Sequence, residues 1–530
     1  MNINNNTLCL ILFFPVLILC SGCSIPEDGA DVQSIGRSAN IQPDYSGIVI
    51  PPNIAPLNFK VKESGDEYIV RIHSKHGNSI RIQSSSNCIR IPLEPWKRLL
   101  ADNPGQQLII HVYMKNQNGQ WIHFDSLVNR IAWEPMDGYL VYRRIGPVFN
   151  IGKKIGIFQR CLENFDEKPV LLNRLTKDNC INCHNFWQNG TDRWLLHMRH
   201  APGNSMLLVI DGKVQKIDTK TAFNGPAAYP AWHPSGKLIA FSVSKLLQFF
   251  HETGECRDVL DTYSNIILYD IPTNTITTTP EISSSDRMEI WPAWSPDGKF
   301  LYFSSAPKIE TFADPDKPDE IAYDKIKYDL MRITYDPVNR TWGKLETVIS
   351  SAELGLSITE PRVSPDGRFV LFTAAKYSQF PIYISSADLY LLDLQTGRWK
   401  KLNINSDRTD SFHSWSSNSR WIVFSSKRQD GLFTKPYFSY IDTLGNTSKP
   451  FVLPQEDPLF YETFLEVFNV PEFTKEPIHV SPRVLAKAAF SEQDALSAKL
   501  DPNVMSSRST DKAKSAEQIQ ISSNKNKVNH

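Results

Sequence analysis

The chain carries no excess of charge of either sign: its 530 residues include 57 Lys and Arg and 57 Asp and Glu. A nucleic-acid partner would require a basic face, and the balanced composition predicts none. Common enzyme signatures are also missing, since no Gly-x-Ser-x-Gly, His-Glu-x-x-His or glycine-rich phosphate loop occurs. The sequence therefore favours a carrier or binding protein over an enzyme.

Cysteine is too scarce for a disulfide framework. Of eight cysteines, Cys9, Cys20 and Cys23 lie near the N-terminus and Cys180 and Cys183 share one motif. Three others remain, and an odd number cannot pair completely. These three are Cys88, Cys161 and Cys256.

The longest apolar run, residues 8–19, is too short to span a bilayer comfortably and has the length of a signal-peptide core. No Lys or Arg precedes it, which departs from the usual pattern. It ends in Cys20-Ser21-Gly22-Cys23, and small residues before a cysteine resemble a bacterial lipobox. We predict a lipoprotein signal peptide at 1–22, lipidation of Cys23 and a polar tether at 23–47. Ordinary cleavage of a secreted protein is the alternative.

The most specific motif is Cys180-Ile181-Asn182-Cys183-His184, whose spacing is typical of c-type haem attachment. Each thiol can form a thioether with one vinyl group, and the histidine can become the proximal iron ligand. A redox dithiol, a zinc half-site and two structural cysteines remain alternatives. Covalent haem attachment takes place outside the cytoplasm, which agrees with an exported chain. One such motif predicts one covalent haem c.

An electron-carrying haem needs a second axial ligand, a histidine or a methionine. His197 is our first candidate, because it follows the motif closely in a strand-like run. Met198 would face the opposite side of that strand, so only one of the pair can serve. Met198 and His413 are the alternatives.

The segment before the motif has the alternation of β-strands. Residues 68–72 and 107–113 are strand runs, and Asn118-Gly119 is a hairpin turn. We predict an N-terminal β-sandwich-like domain at 48–150, followed by a connector at 151–192 that carries the haem motif.

After the motif, a strand–turn–strand unit occurs four times, starting at Tyr229, Trp291, Glu360 and Phe412. Two units contain Ser-Pro-Asp-Gly with a following apolar run, as in Ser295-Pro296-Asp297-Gly298. Proline fixes φ, aspartate bonds the backbone and glycine takes positive φ, which together give a tight turn. Repeats of this scale predict a β-propeller of at least four blades.

The Ser-Pro-Asp-Gly-Lys form resembles the repeats of TolB-type propellers, which are WD40-like. The whole chain resembles envelope lipoproteins that join a β-domain, one Cys-x-x-Cys-His motif and a TolB-like propeller. The resemblance implies an all-β fold and six blades at 193–473. The remaining residues, 474–530, are predicted to be a largely disordered tail.

These observations predict a protein anchored by lipid in the envelope of a Gram-negative bacterium, with the outer membrane favoured. It would hold one haem c and transfer electrons, using the propeller as a docking platform for other envelope or redox proteins. The alternative is a propeller scaffold that binds a protein or ligand, with a structural or sensory haem.

Overall fold

The computed structural model describes residues 32–146, 154–199, 205–250, 257–308, 323–490, 495–504 and 519–520. The predicted signal peptide and Cys23 lie outside these residues. Within them, every helix is too short or too polar to cross a membrane.

The N-terminal domain consists of ten strands and one helix around a single core. Strands β1, β9, β8, β10 and β3 form a sheet in that order, with β5 and β6 beside β8, and β2, β4 and β7 form a second sheet. Helix α1 buries Trp96, Leu99 and Leu100. The elements are β1 (Val32–Ser38), β2 (Ile41–Gln42), β3 (Val49–Ile50), β4 (Phe59–Val61), β5 (Glu67–His73), β6 (Ile80–Ser84), β7 (Cys88–Ile89), α1 (Leu93–Ala101), β8 (Gln107–Lys115), β9 (Trp121–Asp125) and β10 (Leu127–Ile131).

The predicted tether differs from the structure over its second half. Strand β1 pairs in parallel with β9, β2 pairs with β4, and Tyr45 is completely buried. Backbone hydrogen bonds at the sheet edge and burial of one aromatic ring order this polar segment. The domain therefore includes residues 32–47.

The next twenty-four strands form six sheets of four strands each, two of which are extended by short strands nearer the C-terminus. Blade 1 contains β11 (Tyr139–Ile145), β12 (Gly156–Cys161) and β13 (Glu167–Leu172); blade 2, β14 (Cys180–Phe186), β15 (Arg193–Arg199), β16 (Ser205–Ile210) and β17 (Lys213–Asp218); blade 3, β18 (Ala228–Trp232), β19 (Leu238–Phe250), β20 (Arg257–Asp270) and β21 (Thr275–Thr277); blade 4, β22 (Arg287–Trp294), β23 (Phe300–Pro307), β24 (Asp329–Asp336) and β25 (Thr341–Ile349); blade 5, β26 (Ser357–Val363), β27 (Phe369–Ala375), β28 (Asp388–Asp393) and β29 (Trp399–Lys401); blade 6, β30 (Asp410–Trp415), β31 (Trp421–Ser426), β32 (Lys435–Tyr440) and β33 (Phe451–Val452). The last strand, β34 (Val467–Thr474), pairs with β11 and completes blade 1.

The sheets form a closed ring. The first strand of each sheet contacts the first strand of the next, in the order β34, β14, β18, β22, β26, β30 and back to β34. A ring of four-stranded sheets around a common axis is a β-propeller, here with six blades. The predicted all-β fold is confirmed.

The tight turn predicted for Ser-Pro-Asp-Gly is present with its hydrogen bonds. In blade 4, the Ser295 hydroxyl lies 2.6 Å from the Asp297 carboxylate, which also accepts the Lys299 N–H at 3.1 Å. Gly298 takes a φ of 72°, which favours glycine. This turn joins the innermost strand to the second strand and so fixes where the inner strand ends.

The segment predicted as a connector, 151–192, belongs to the propeller where the structure describes it. Its described residues form β12, β13 and β14, and β11 also belongs to the propeller. The sequence could not separate these strands from the preceding domain, because both have the same alternation. The haem motif therefore lies on the innermost strand of blade 2.

The first part of the predicted tail is ordered against the propeller. Helix α4 (Pro482–Phe490) contacts β13, β16 and β17 and buries Leu485. Strands β35 (Leu496–Ser497) and β36 (Lys499–Leu500) extend blades 2 and 3 at their outer edges, and β37 (Ile519–Gln520) pairs with β19. The other short helices are α2 (Ser351–Leu354) and α3 (Phe460–Thr463).

Candidate functional site

Each innermost strand contains one residue in the left-handed region of φ. Register shifts in the pairing with the second strand occur at the same six places. These residues are Cys183 (51°), Tyr229 (49°), Trp291 (57°), Glu360 (54°), Phe412 (45°) and Val470 (48°). A β-bulge of this kind turns a side chain out of the sheet's normal alternation. We call these six residues the bulge ring.

The bulge ring explains how the haem motif folds. In four blades the residue after the bulge is proline, at 230, 292, 361 and 471. In the other two it is histidine, His184 and His413. The segment Cys183-His184-Asn185-Phe186 is therefore a fifth copy of the unit at the end of the inner strands, and Val470-Pro471-Glu472-Phe473 is the sixth. The motif is part of the propeller repeat.

A cavity opens on the propeller axis at the level of the bulge ring. It encloses about 1320 Å³ of space without protein atoms, including its open mouth, and all six ring residues line it. Pro230, Pro292 and the aromatic rings of Phe380 and Tyr383 also face it. The wall is thus mostly apolar and aromatic, which is typical of a ligand site.

Both cysteines of the motif line this cavity, and neither forms a disulfide. Residues three apart on a regular strand point to opposite faces, but the bulge at Cys183 brings both thiols to the same space. Asn182 Nδ2 lies 3.5 Å from the Cys180 sulfur. Burial opposes the positive charge of Arg199, but the neighbouring Tyr229, Cys183 and Cys180 outweigh it and raise the pKa of Arg199.

His184 and His413 occupy the same position in two blades but differ in their partners. His413 Nε2 lies 3.0 Å from the Leu371 carbonyl of blade 5, and Nδ1 lies 3.4 Å from the Thr373 hydroxyl. His184 is only 2% exposed, and neither ring nitrogen forms a hydrogen bond of good geometry, although the backbone of Val470 and of Val141 lies close enough to favour the protonated ring. Burial, followed by the charge of Arg143, lowers the pKa of His184 from 6.5 to about 3, so the ring is neutral. A buried neutral imidazole without a partner can bind a metal.

The structure places the candidate second ligands in different surroundings. His197 lies on β15, where its ring meets Phe241 of blade 3 edge-on at 5.8 Å, and it does not line the cavity. Met198 lies in the core that joins blades 1 and 2. Only His413 lines the cavity. His197 was favoured for its closeness in sequence, but it lies one strand further from the axis.

Three arginines and one carboxylate also line the cavity: Arg143, Arg199, Arg362 and Glu360. Glu360 accepts hydrogen bonds from the Phe412 N–H at 3.0 Å and the Thr373 hydroxyl at 3.1 Å. Burial nevertheless raises the pKa of Glu360 to about 7. The cavity therefore has an excess of positive charge near neutral pH.

The residues present fit a covalently bound haem in their chemistry. Two free thiols, an unpartnered imidazole and an apolar wall face one space, and the arginines match the two carboxylates that haem carries. Within the described residues, no three His, Cys, Asp or Glu side chains converge to hold a metal ion by themselves.

Sequence analysis missed two features of this site. The fifth and sixth copies of the inner-strand unit were not recognisable, because they lack the turn sequences that follow the other four. An aromatic ring two residues after the proline or histidine, present in every copy except that of blade 5, was a usable signal. Arg143 and Arg199 carried no signal, because they lie in strands assigned to other segments.

The chain is only distantly similar to known proteins. No protein-family model and no curated protein matches the chain. Among solved structures, hydrazine synthase of Kuenenia stuttgartiensis is 11% identical with a TM-score of 0.29, and the match covers 50% of this chain and 64% of that one, less than two thirds. The propeller of the trilobed protease from Pyrococcus furiosus is 11% identical (TM-score 0.31; 66% and 95% covered). Oligogalacturonate lyase from Vibrio parahaemolyticus is 12% identical (TM-score 0.30; 72% and 100% covered). At these scores the likenesses carry no argument about function, and the six-bladed propeller rests on its own strand pairing.

Proposed function

We propose that the protein is an electron carrier with one haem c in the axial cavity of the propeller. The observation that carries the proposal is the convergence of Cys180, Cys183 and the unpartnered His184 on one cavity. His413, at the same position in blade 6, instead forms a hydrogen bond of good geometry with the Leu371 carbonyl.

Each residue would have a defined task. The Cys180 and Cys183 thiols form the covalent attachment, and His184 offers a neutral ring nitrogen to the iron. The aromatic members of the bulge ring exclude water from the site. Bound haem supplies an iron that exchanges one electron reversibly with another redox protein of the envelope.

We propose His413 in place of His197 as the second protein ligand. His413 lines the cavity, and its Nε2 lies within hydrogen-bonding distance of the Leu371 carbonyl. Such a bond orients a histidine and leaves the other nitrogen as the electron donor. In the haem-loaded protein, we expect His413→Ala to change the absorption spectrum and His197→Leu to leave it unchanged.

The central test is co-expression of the chain with a c-type maturation system, followed by a pyridine haemochrome spectrum. We expect one covalent haem, which Cys180→Ser and Cys183→Ser together abolish. Cys88→Ser and Cys161→Ser are matched controls, since both cysteines are free and lie outside the cavity. A wild-type chain that matures without covalent haem would refute the proposal.

We further propose that the chain is a TolB-like envelope lipoprotein anchored through Cys23, with the outer membrane of a Gram-negative bacterium as its site. The apolar run and the small residues before Cys23 support this. Metabolic labelling with palmitate tests it: the label should enter the wild type and be absent from Cys23→Ser. Equal labelling of both would reject the anchor.

A ligand-binding scaffold is the second candidate, and the aromatic cavity favours it. A sensory haem keeps an open coordination position, whereas a carrier with two protein ligands does not. Rapid binding of carbon monoxide by the reduced protein would support the scaffold, and its absence would support the carrier.

A further inference from the structure

The axial cavity collects positive charge from three blades. Arg143 comes from β11, Arg199 from β15 and Arg362 from β26. Glu472 lies near Arg362. Burial has the largest effect on this carboxyl and raises its pKa to about 7. The nearby carboxylates are thus poor counter-charges for the arginines.

The arginines of the cavity lack the carboxylate partners that other arginines of this protein have. Within the described part of the chain, no carboxylate oxygen comes within 4.0 Å of Arg143, Arg199 or Arg362. Arg144, the next residue on the same strand, pairs with Glu167 at 2.6 Å and Glu466 at 2.7 Å. Arg143 Nε is buried without a hydrogen-bond partner. Arg199 does have the hydroxyl of Tyr229 as a neighbour, but none of the three guanidinium groups has a carboxylate partner, and an anionic ligand would supply one.

Two of the arginines form a group. Arg143 and Arg199 both act electrostatically on Tyr229. Arg362 acts with Arg143 on His184, but it also lies near Glu360 and Glu472. A planar guanidinium binds a carboxylate through two parallel hydrogen bonds. The rings of Tyr229, Trp291 and Phe412 line the same space, and flat apolar surfaces suit an aromatic molecule.

We propose that Arg143 and Arg199 form a binding site for the carboxylate groups of a planar aromatic ligand. The ligand could be the haem proposed above, which carries two carboxylates. It could also be a separate aromatic acid, which carries at least one. The proposal does not depend on the thioether bonds, because both arginines face the cavity whether or not the cysteines react.

The test uses the full chain produced without a maturation system, so that no haem is attached. The probes are protoporphyrin IX, its dimethyl ester and benzoate, and binding is followed by quenching of tryptophan fluorescence. The ester keeps the ring and removes both charges. The variants are Arg143→Gln, Arg199→Gln and the double variant, with Arg144→Gln as the matched control.

We expect the wild type and Arg144→Gln to bind protoporphyrin IX at least tenfold more tightly than its ester. The double variant should bind both equally. Benzoate binding that the double variant loses would identify a free aromatic acid as the ligand. A preference for protoporphyrin IX without benzoate binding would identify the porphyrin carboxylates.

Equal affinity of the wild type for acid and ester would overturn the proposal, and so would a preference that survives in the double variant. A circular dichroism spectrum confirms that each variant is folded. These results are independent of the haemochrome test, because a chain that never attaches haem covalently can still show the preference for the acid.

Discussion

At the scale of single residues, His184 and His413 occupy the same position in two blades and differ in their hydrogen bonds. Both are buried next to a left-handed residue, and both pKa values are lowered to about 3, mainly by burial. Only His413 completes a hydrogen bond to the neighbouring blade. The unpartnered nitrogens of His184 represent a free-energy cost that a bound metal would remove.

This difference predicts unequal effects on stability. In the haem-free protein, His413→Ala should lower the free energy of unfolding more than His184→Ala does, by about 1 kcal/mol, because it deprives Leu371 of a hydrogen-bond donor. Urea denaturation followed by circular dichroism measures both variants. Equal losses would show that His184 makes an equivalent bond in solution.

His197 provides a second prediction, this time with a pH dependence. Both its ring nitrogens are buried and neither forms a hydrogen bond of good geometry. Burial, followed by the charge of Arg199, lowers its pKa from 6.5 to about 3, and the nearby backbone of Cys183 offsets this only in part. Below pH 6.5 the unfolded chain therefore takes up a proton that the folded chain does not, and stability falls until about pH 3. Relative to wild type, His197→Leu should gain about 1 kcal/mol at pH 7 and about 2 kcal/mol more at pH 5.

Urea denaturation at the two pH values measures this effect. A variant of His413, which is also buried with a lowered pKa, shows how much any buried histidine contributes. A gain for His197→Leu that is the same at pH 5 and pH 7 would mean that the wild-type ring is already protonated when folded.

At the scale of one element, the inner strand tolerates proline at one position only. Proline follows the bulge in four blades, so the backbone there needs no N–H donor. At the next position the six residues are Asn185, Ala231, Ala293, Arg362, Ser414 and Glu472, and none is proline.

His184→Pro should therefore fold, with a free energy of unfolding within about 1 kcal/mol of His184→Ala. Asn185→Pro, one residue further, interrupts the pairing with Leu195 of β15 and should cost about 3 kcal/mol or more. Chemical denaturation of the haem-free proteins compares the two. If both proline variants lose the same stability, blade 2 does not share the bulge of the other blades.

The repeat shows how far sequence carries the fold. Four blades were predictable because their inner strands, the turns that follow and the next apolar runs share one pattern, with proline and glycine in three of the four turns. The strands of blade 1 could not be assigned, since β11 and β34 are separated by more than 300 residues and only the ring closure brings them together.

The site, like the fold, was predictable in part. Cys180, Cys183 and His184 were recognisable by spacing, and the structure brings all three to one cavity. The position of His197 was not predictable, because closeness to the motif in sequence does not reveal that β15 lies one strand further from the axis than β14. Arg143 became visible only when β11 was placed beside the axis.

At the scale of the whole molecule, one C-terminal strand closes the ring. Strand β34 supplies the innermost strand of blade 1, while β11, β12 and β13 come from before the haem motif. The core of the N-terminal domain continues into blades 5 and 6, and Trp421 Nε1 donates to the Glu134 carbonyl at 2.9 Å. Domain and propeller therefore support each other.

Truncation tests this closure. A chain ending at Phe464 lacks β34 and should lose its cooperative thermal transition or melt at least 10 °C lower, because blade 1 loses its inner strand and the ring stays open. A chain ending at Val504 keeps every blade strand and should melt within a few degrees of the full chain. Thermal melts by circular dichroism distinguish them. Equal melting of both truncated chains would contradict the closing role of β34.

The place of Cys180 and Cys183 on an innermost strand has a consequence for biogenesis. A maturation enzyme must hold an extended stretch of chain around both thiols, and such a stretch is accessible only while the neighbouring inner strands are absent. Strand β34, which adjoins β14, is the last blade strand to leave the ribosome. For the proposed haem, attachment would thus come before ring closure, and the timing of export and folding would decide how much protein matures.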